Sequence, residues 1–287
     1  MVINSFPHRE ETLRKRRRQR RIKYGIFFLF FVLIVGVVSY LSHLPKVRVT
    51  EIELRGGLLV TEKEIKEETL SYMDGSHFWL FPRNNAFIYS QGDLEKHLSE
   101  KFKRIETISI SLEGLNKAVV EITERKPVAI WCRENVVSFS TTTDTVLKKD
   151  KEQCYFIDLF STIFAEAPNF SGDAYFKYYG LVTKESPIGE RFIASTTQFT
   201  EINGFIDAIK KLNIKPLYLL GKGEDEYSLV LFGGGEIYFD VKKSLSLAYS
   251  NLETLLKSPA LSSSGTGILP VEYIDLRYGN KLFYKLK

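Results

Sequence analysis

From Tyr24 to Leu44 the chain runs 21 residues without an Asp, Glu, Lys or Arg. At ~1.5 Å per residue, a helix of that length spans roughly 31 Å, close to the ~30 Å hydrocarbon core of a bilayer. Pro45 ends the run, and shorter patterns replace it. Val47 and Val49, then Ile52 and Leu54, predict a strand with one slip in its alternation, broken by Gly56-Gly57. Thr61 followed by Glu64 is a capping box, and Ile65, Thr69, Leu70 and Met73 form one face of the helix it opens. Gly75 stops that helix, and an apolar patch, Phe78-Trp79-Leu80-Phe81, runs into Pro82. A second helix is predicted from Gly92 to Phe102, with Leu94, Leu98 and Phe102 on one side. Two alternating strands follow, marked by Ile108, Ile110 and Leu112, then by Val120 and Ile122. The turn Glu113-Gly114-Leu115-Asn116 separates them. The order β-α-α-β-β predicts a three-stranded sheet with one face under two helices.

Residues 125–287 read as a second, β-rich domain. Strands are predicted at Val128–Trp131, Val136–Phe139, Tyr155–Asp158, Leu217–Leu220, Ser228–Leu231, Glu236–Asp240, Tyr273–Arg277 and Lys281–Lys285. Gly233-Gly234-Gly235 turns one hairpin and Tyr278-Gly279-Asn280 the last. Two amphipathic helices interrupt the strands, Gln198–Leu212 and Lys243–Lys257, and a loop is expected over Ser258–Thr266. The fold class is α+β: an N-terminal transmembrane helix, a small β-α-α-β-β domain, then a β-rich domain with two helices.

Charge sets the orientation. Before the apolar run, Arg9, Arg14, Lys15, Arg16, Arg17, Arg18, Arg20, Arg21 and Lys23 stand against Glu10 and Glu11, a net +7. A positive cluster beside a span stays cytoplasmic, so residues 45–287 are expected across the membrane. A cleaved signal peptide fits less well, because its apolar core is shorter and Tyr40-Leu41-Ser42-His43-Leu44 offers no small-x-small site. The whole chain is +5, which leaves −2 for residues 24–287. The external part therefore has no basic character that would suggest nucleic acid as its partner. The expected parts are a tail over 1–23, a span over 24–44 that meets the lipid bilayer, and domains over 45–124 and 125–287.

This layout resembles the bacterial cell-division family FtsQ, called DivIB in other lineages, whose β-α-α-β-β module is the POTRA domain. The resemblance is sharpest at Val120-Glu121-Ile122-Thr123-Glu124-Arg125-Lys126-Pro127-Val128-Ala129, similar to the family's V-x-E-R-x-P-x-A passage out of that domain. A second match, Tyr273-Ile274-Asp275-Leu276-Arg277-Tyr278, resembles the family's V-D-L-R-Y segment. The chain departs from the family in having Gly56-Gly57 rather than Gly-Asn after the first strand. It also has no Pro in Phe102-Lys103-Arg104-Ile105. The resemblance implies a non-enzymatic, single-pass protein of the inner (cell) membrane, enriched at the division septum. Its implied partners are the small bitopic division proteins FtsB (DivIC) and FtsL, with the POTRA domain implicated in septal recruitment. It also implies that the segment matching Arg277-Tyr278 and the following strand meets the FtsB-like partner. Arg277, Tyr278, Leu282 and Tyr284 are the expected contact side chains; the alternative is that Leu276, Leu282 and Tyr284 close the core of the sheet, with Tyr278 a turn residue. The alternative is a membrane-anchored POTRA chaperone or receptor of an export system, a class that usually carries tandem repeats or a barrel.

Signs of enzyme chemistry are few. The chain has four histidines, and neither His77 nor His97 in the external region belongs to an H-x-x-H or H-E-x-x-H spacing, so no metal or cofactor is expected. There is no G-x-S-x-G elbow and no S-x-x-K set. The two cysteines, Cys132 and Cys154, are both expected outside the cytoplasm, where disulfides persist. They are either bonded to each other or two half-buried thiols that never meet, since spacing fixes no geometry.

Overall fold

The computed structural model describes residues 8–133, 152–168, 174–182, 184–223, 225–258, 261 and 268–287. The expected strand Val136–Phe139 and most of the expected loop Ser258–Thr266 lie outside the described residues. The chain is a mixed α/β protein in two compact units, Met1–Glu124 and Arg125–Lys287.

The first unit opens with α1 (His8–Ser42), whose part from Arg14 to Ser42 is long and apolar enough to cross a membrane. Phe27, Phe28, Phe30 and Phe31 all point outward from it, as lipid-facing side chains would. Pro45–Val47 turns as a short 3-10 helix, so β1 (Glu51–Arg55) starts later than the alternation from Val47 suggests. Gly56 then turns the chain at φ +87°, where a Cβ would lie 2.2 Å from the Ile122 carbonyl oxygen. The capping box opens α2 (Glu62–Tyr72): the Thr61 hydroxyl accepts from the Glu64 amide, and the Glu64 carboxylate accepts from the Thr61 amide.

Next comes a small antiparallel hairpin, β2 (Ser76–His77) and β3 (Phe81–Pro82), where the sequence showed only an apolar patch. After it follow α3 (Gln91–Lys101), β4 (Ile105–Glu113) and β5 (Lys117–Glu124). The sheet order is β1-β5-β4, with β1 parallel and β4 antiparallel to β5. Ile65 of α2, Leu94 and Leu98 of α3, and Ile110 and Val120 of the sheet are at most 1% exposed in one core. Each such side chain stabilises the fold by about 1.5–3 kcal/mol.

The second unit is built on one nine-stranded sheet. Its strands are β6 (Ala129–Cys132), β7 (Cys154–Ile157), β8 (Ile163–Ala167) and β9 (Lys177–Gly180). After α4 (Thr196–Lys211) come β10 (Pro216–Gly221), β11 (Glu226–Leu231) and β12 (Glu236–Asp240). After α5 (Leu245–Leu256), β13 (Val271–Asp275) and β14 (Phe283–Leu286) close the chain. The order across the sheet is β14-β13-β12-β11-β10-β9-β6-β7-β8.

Strands β8 and β9 were not visible as strands in the sequence. Both helices pack into the core with Trp131, Tyr178, Leu219, Leu229, Phe239 and Ile274, and their N-termini are capped by Ser195 and Ser244. Cys132 and Cys154 face each other across the β6–β7 pair and are joined by a disulfide.

Candidate partner-binding edge

The nine-stranded sheet has two edges, and the chain treats them differently. At β8, Ile163 donates to the Glu190 carbonyl at 2.8 Å and its own carbonyl accepts from Gly189 at 2.7 Å. A bridge between Thr162 and Arg191 continues this cover. A loop thus covers the start of that edge, a common way to limit unwanted strand pairing. At the other end β14 pairs with β13, and among the described residues nothing pairs with its outer side.

All four residues of β14 are exposed, and three of them are apolar: Phe283 at 50%, Tyr284 at 41% and Leu286 at 44%. Register assigns them to faces. Tyr284 lies opposite Ile274 and Leu286 opposite Val271, both core residues, so these two side chains extend the core face past its cover. Phe283 lies opposite Asp275 on the other face and meets Tyr278 edge-on at 5.2 Å between ring centroids. Tyr278 itself is 57% exposed in the turn. Lys285 pairs with Glu272, and the Lys287 ammonium donates to the Gly233 carbonyl. The cations on this strand are therefore held by their own chain.

The four residues singled out from the sequence take three different positions. Tyr278 and Tyr284 are exposed at the edge. Leu282 is half-buried and packs against the core. Arg277 turns onto the sheet: its Nε and Nη2 donate to the two Asp275 carboxylate oxygens at 2.9 and 2.6 Å, and its Nη1 donates to Glu226 at 2.8 Å. Its guanidinium also lies 5.4 Å from the centre of the Tyr238 ring. Burial works against the Asp275 carboxylate, but the hydrogen bonds from the Arg277 side chain and backbone outweigh it and hold its pKa below the ordinary value. The Asn251 amide on α5 donates to the Gly279 carbonyl at 2.8 Å, fixing the turn from the helix side.

The other motif is built the same way. One oxygen of Glu124 accepts the backbone amides of Leu58, Leu59 and Val60 at 2.7, 2.7 and 2.9 Å. Arg125 forms an ion pair with Asp158, whose side chain is almost fully buried. No protein-family model matches the chain, and no curated protein matches it. What the edge offers is thus read from its own geometry: an open backbone ladder, an aromatic or apolar side chain on each face, and a braced turn.

Sequence reasoning did not single out Phe283 or Leu286. Their signal is the largely apolar run Phe-Tyr-Lys-Leu in the last strand, which becomes informative only once that strand is known to be an edge. Of the two histidines in the expected external region, His97 meets Glu68 at 2.7 Å and stacks on Tyr72, while His77 sits exposed in the β2–β3 hairpin.

Proposed function

We propose that this chain is a bitopic membrane scaffold of the bacterial division machinery, of the FtsQ/DivIB type. It keeps its basic tail in the cytoplasm and carries a POTRA domain over residues 45–124 and a β domain over 125–287 outside. It would act without chemistry, joining FtsB/DivIC-like and FtsL-like bitopic proteins at the septum. The observation that carries this reading is the edge strand β14, unpaired on its outer side among the described residues and apolar on both faces, while a loop covers the start of the opposite edge. An extended partner segment that adds a strand there gains backbone hydrogen bonds along β14 and apolar contact with Tyr284, Leu286 and Phe283. Tyr278 and Phe283 form the aromatic anchor, and Arg277, held by Asp275 and Glu226, is a positioning residue for the turn.

The test is capture of the purified FtsB-like protein by the detergent-solubilised chain. Tyr284→Lys with Leu286→Lys, and separately Tyr278→Ala, change exposed side chains and should leave the circular dichroism intact. Loss of an aromatic anchor costs about 2 kcal/mol, which is roughly thirtyfold in affinity. Amides of residues 283–286 should gain protection from hydrogen exchange when the partner binds. Unchanged capture by both variants would refute the site.

A further inference from the structure

Among the described residues, two aromatic side chains stand almost fully exposed at the tip of the β2–β3 hairpin. Phe78 is 90% exposed and Trp79 is 93% exposed. Both take positive φ, 50° and 62°, in a turn closed by the Leu80 amide donating to the His77 carbonyl at 3.0 Å. Such a turn favours Asn-Gly, and bulky residues there are uncommon. Two large rings thus stand in water-facing positions that neither local conformation nor core packing explains.

The position of the tip suggests what covers it. The hairpin and the turn after it are tied to the last turn of α1 at two levels. The Asn85 side-chain amide donates to the Ser42 carbonyl at 3.0 Å, and five residues earlier the Leu80 carbonyl accepts from the Ser39 hydroxyl at 2.7 Å. From Asn85 to Leu80 the chain therefore runs back along α1, about 4.5 Å towards its N-terminus at ~1.5 Å per residue. If Lys23 marks the near boundary of a ~30 Å core, about twenty residues place the far boundary near His43. Leu80 then lies at that boundary or just inside it, and its carbonyl, which lipid could not satisfy, is satisfied by Ser39. Tyr40, 73% exposed on the same turn of α1, adds a third aromatic at this level.

We propose that Phe78 and Trp79 are an interfacial membrane anchor that seats in the headgroup region of the leaflet where α1 exits. Trp and Tyr concentrate there because their rings prefer the boundary and their polar atoms stay hydrated. The anchor would fix the first folded unit against the bilayer surface rather than leave it to swivel on Pro45. This rests on the reading of α1 as a membrane span.

The test reconstitutes the full chain into phosphatidylcholine–phosphatidylglycerol vesicles whose acyl chains carry bromine near the headgroup. The chain has two tryptophans, Trp79 and the 1%-exposed Trp131, so Trp79→Phe identifies the signal. Expected is bromine quenching of a blue-shifted component, protected from aqueous iodide, that falls several-fold in Trp79→Phe. A chain that floats with the vesicles while Trp79 is quenched by iodide and not by bromine overturns the anchor and leaves the span standing. Protection of Trp79 from both quenchers would indicate a protein cover and would also overturn it. A chain that fails to float with the vesicles overturns the span and the anchor together.

Discussion

Glu124 shows what a motif residue can be for. Its side chain has one-tenth or less of its surface exposed, and one of its oxygens collects three consecutive backbone amides from the loop after Gly57. Burial alone would raise its pKa, but the amides of Val60, Leu58 and Leu59, with the Arg104 charge, outweigh burial and leave it below its ordinary 4.5. The sign of the linkage follows. The folded state holds the proton less tightly than the unfolded chain, so Glu124 contributes stability in full above about pH 4.5. That contribution fades as pH falls through the lower folded-state value. Glu124→Gln keeps the shape but loses the charge-assisted bonds, which are worth about 1.5–3 kcal/mol together with the cost of poorly matched amides. Urea unfolding of the variant should show that loss at pH 7 and a flatter acid limb than the parent. Arg277 illustrates the same principle at the other motif, and its commitment was not legible in the sequence. Asp275 is two residues away and could be guessed, but Glu226 is 51 residues distant and meets Arg277 only through the order β11-β12-β13.

At the scale of elements, the sequence was readable where a local rule decides the outcome. The Thr61/Glu64 capping box, the stripe from Phe199 to Ile209 on α4, and the strand Glu236–Asp240 each follow from periodicity or capping within a few residues. It was opaque where long-range pairing decides. Ile163–Ala167 has no clean alternation and becomes a strand by pairing with β7, and Lys177–Gly180 becomes one between β6 and β10. The β2–β3 hairpin was hidden because Phe78 and Trp79 occupy turn positions where Asn or Gly would have signalled a turn. Cysteine pairing likewise needed the register: Cys132 and Cys154 stand opposite each other only once β6 pairs with β7. The bond closes a loop of 22 residues at the junction of two neighbouring strands. By the chain-entropy model such a cross-link is worth roughly 3 kcal/mol. Treatment with reductant should lower the denaturation midpoint of the second unit by a corresponding amount and make both thiols alkylatable. The untreated protein should carry the two half-cystines in one cross-linked peptide pair by mass spectrometry. Free thiols in the untreated, externally exposed protein would refute the bond.

At the scale of the molecule, three features bear on the proposed arrangement across a membrane. The helix from Arg14 to Ser42 is long and apolar enough to span a bilayer, its N-terminal side carries a dense cationic cluster, and the three- and nine-stranded sheets follow it. Cations resist translocation, whereas long folded segments translocate largely regardless of charge. In that orientation Cys132 and Cys154 would lie in an oxidising compartment, where a bond between them persists. The expected outcome is that protease added to the external face digests residues 46–287 and spares the tail. Alkaline phosphatase fused after Pro45 should be active, and the same fusion before Lys23 inactive. Neutralising the cluster by replacing Arg14, Arg16, Arg17, Arg18, Arg20 and Arg21 with Gln should produce a mixed population of both orientations, because the charge bias is then nearly gone. A scaffold working by strand addition must also concentrate where its partners are. A fluorescent fusion to the cytoplasmic tail should therefore form a band at midcell in dividing cells. The Tyr284→Lys, Leu286→Lys form should still reach the band if the first unit directs recruitment, yet fail to hold the FtsB-like partner there. Uniform envelope fluorescence from the unaltered fusion would instead point to an export role and would remove the division reading.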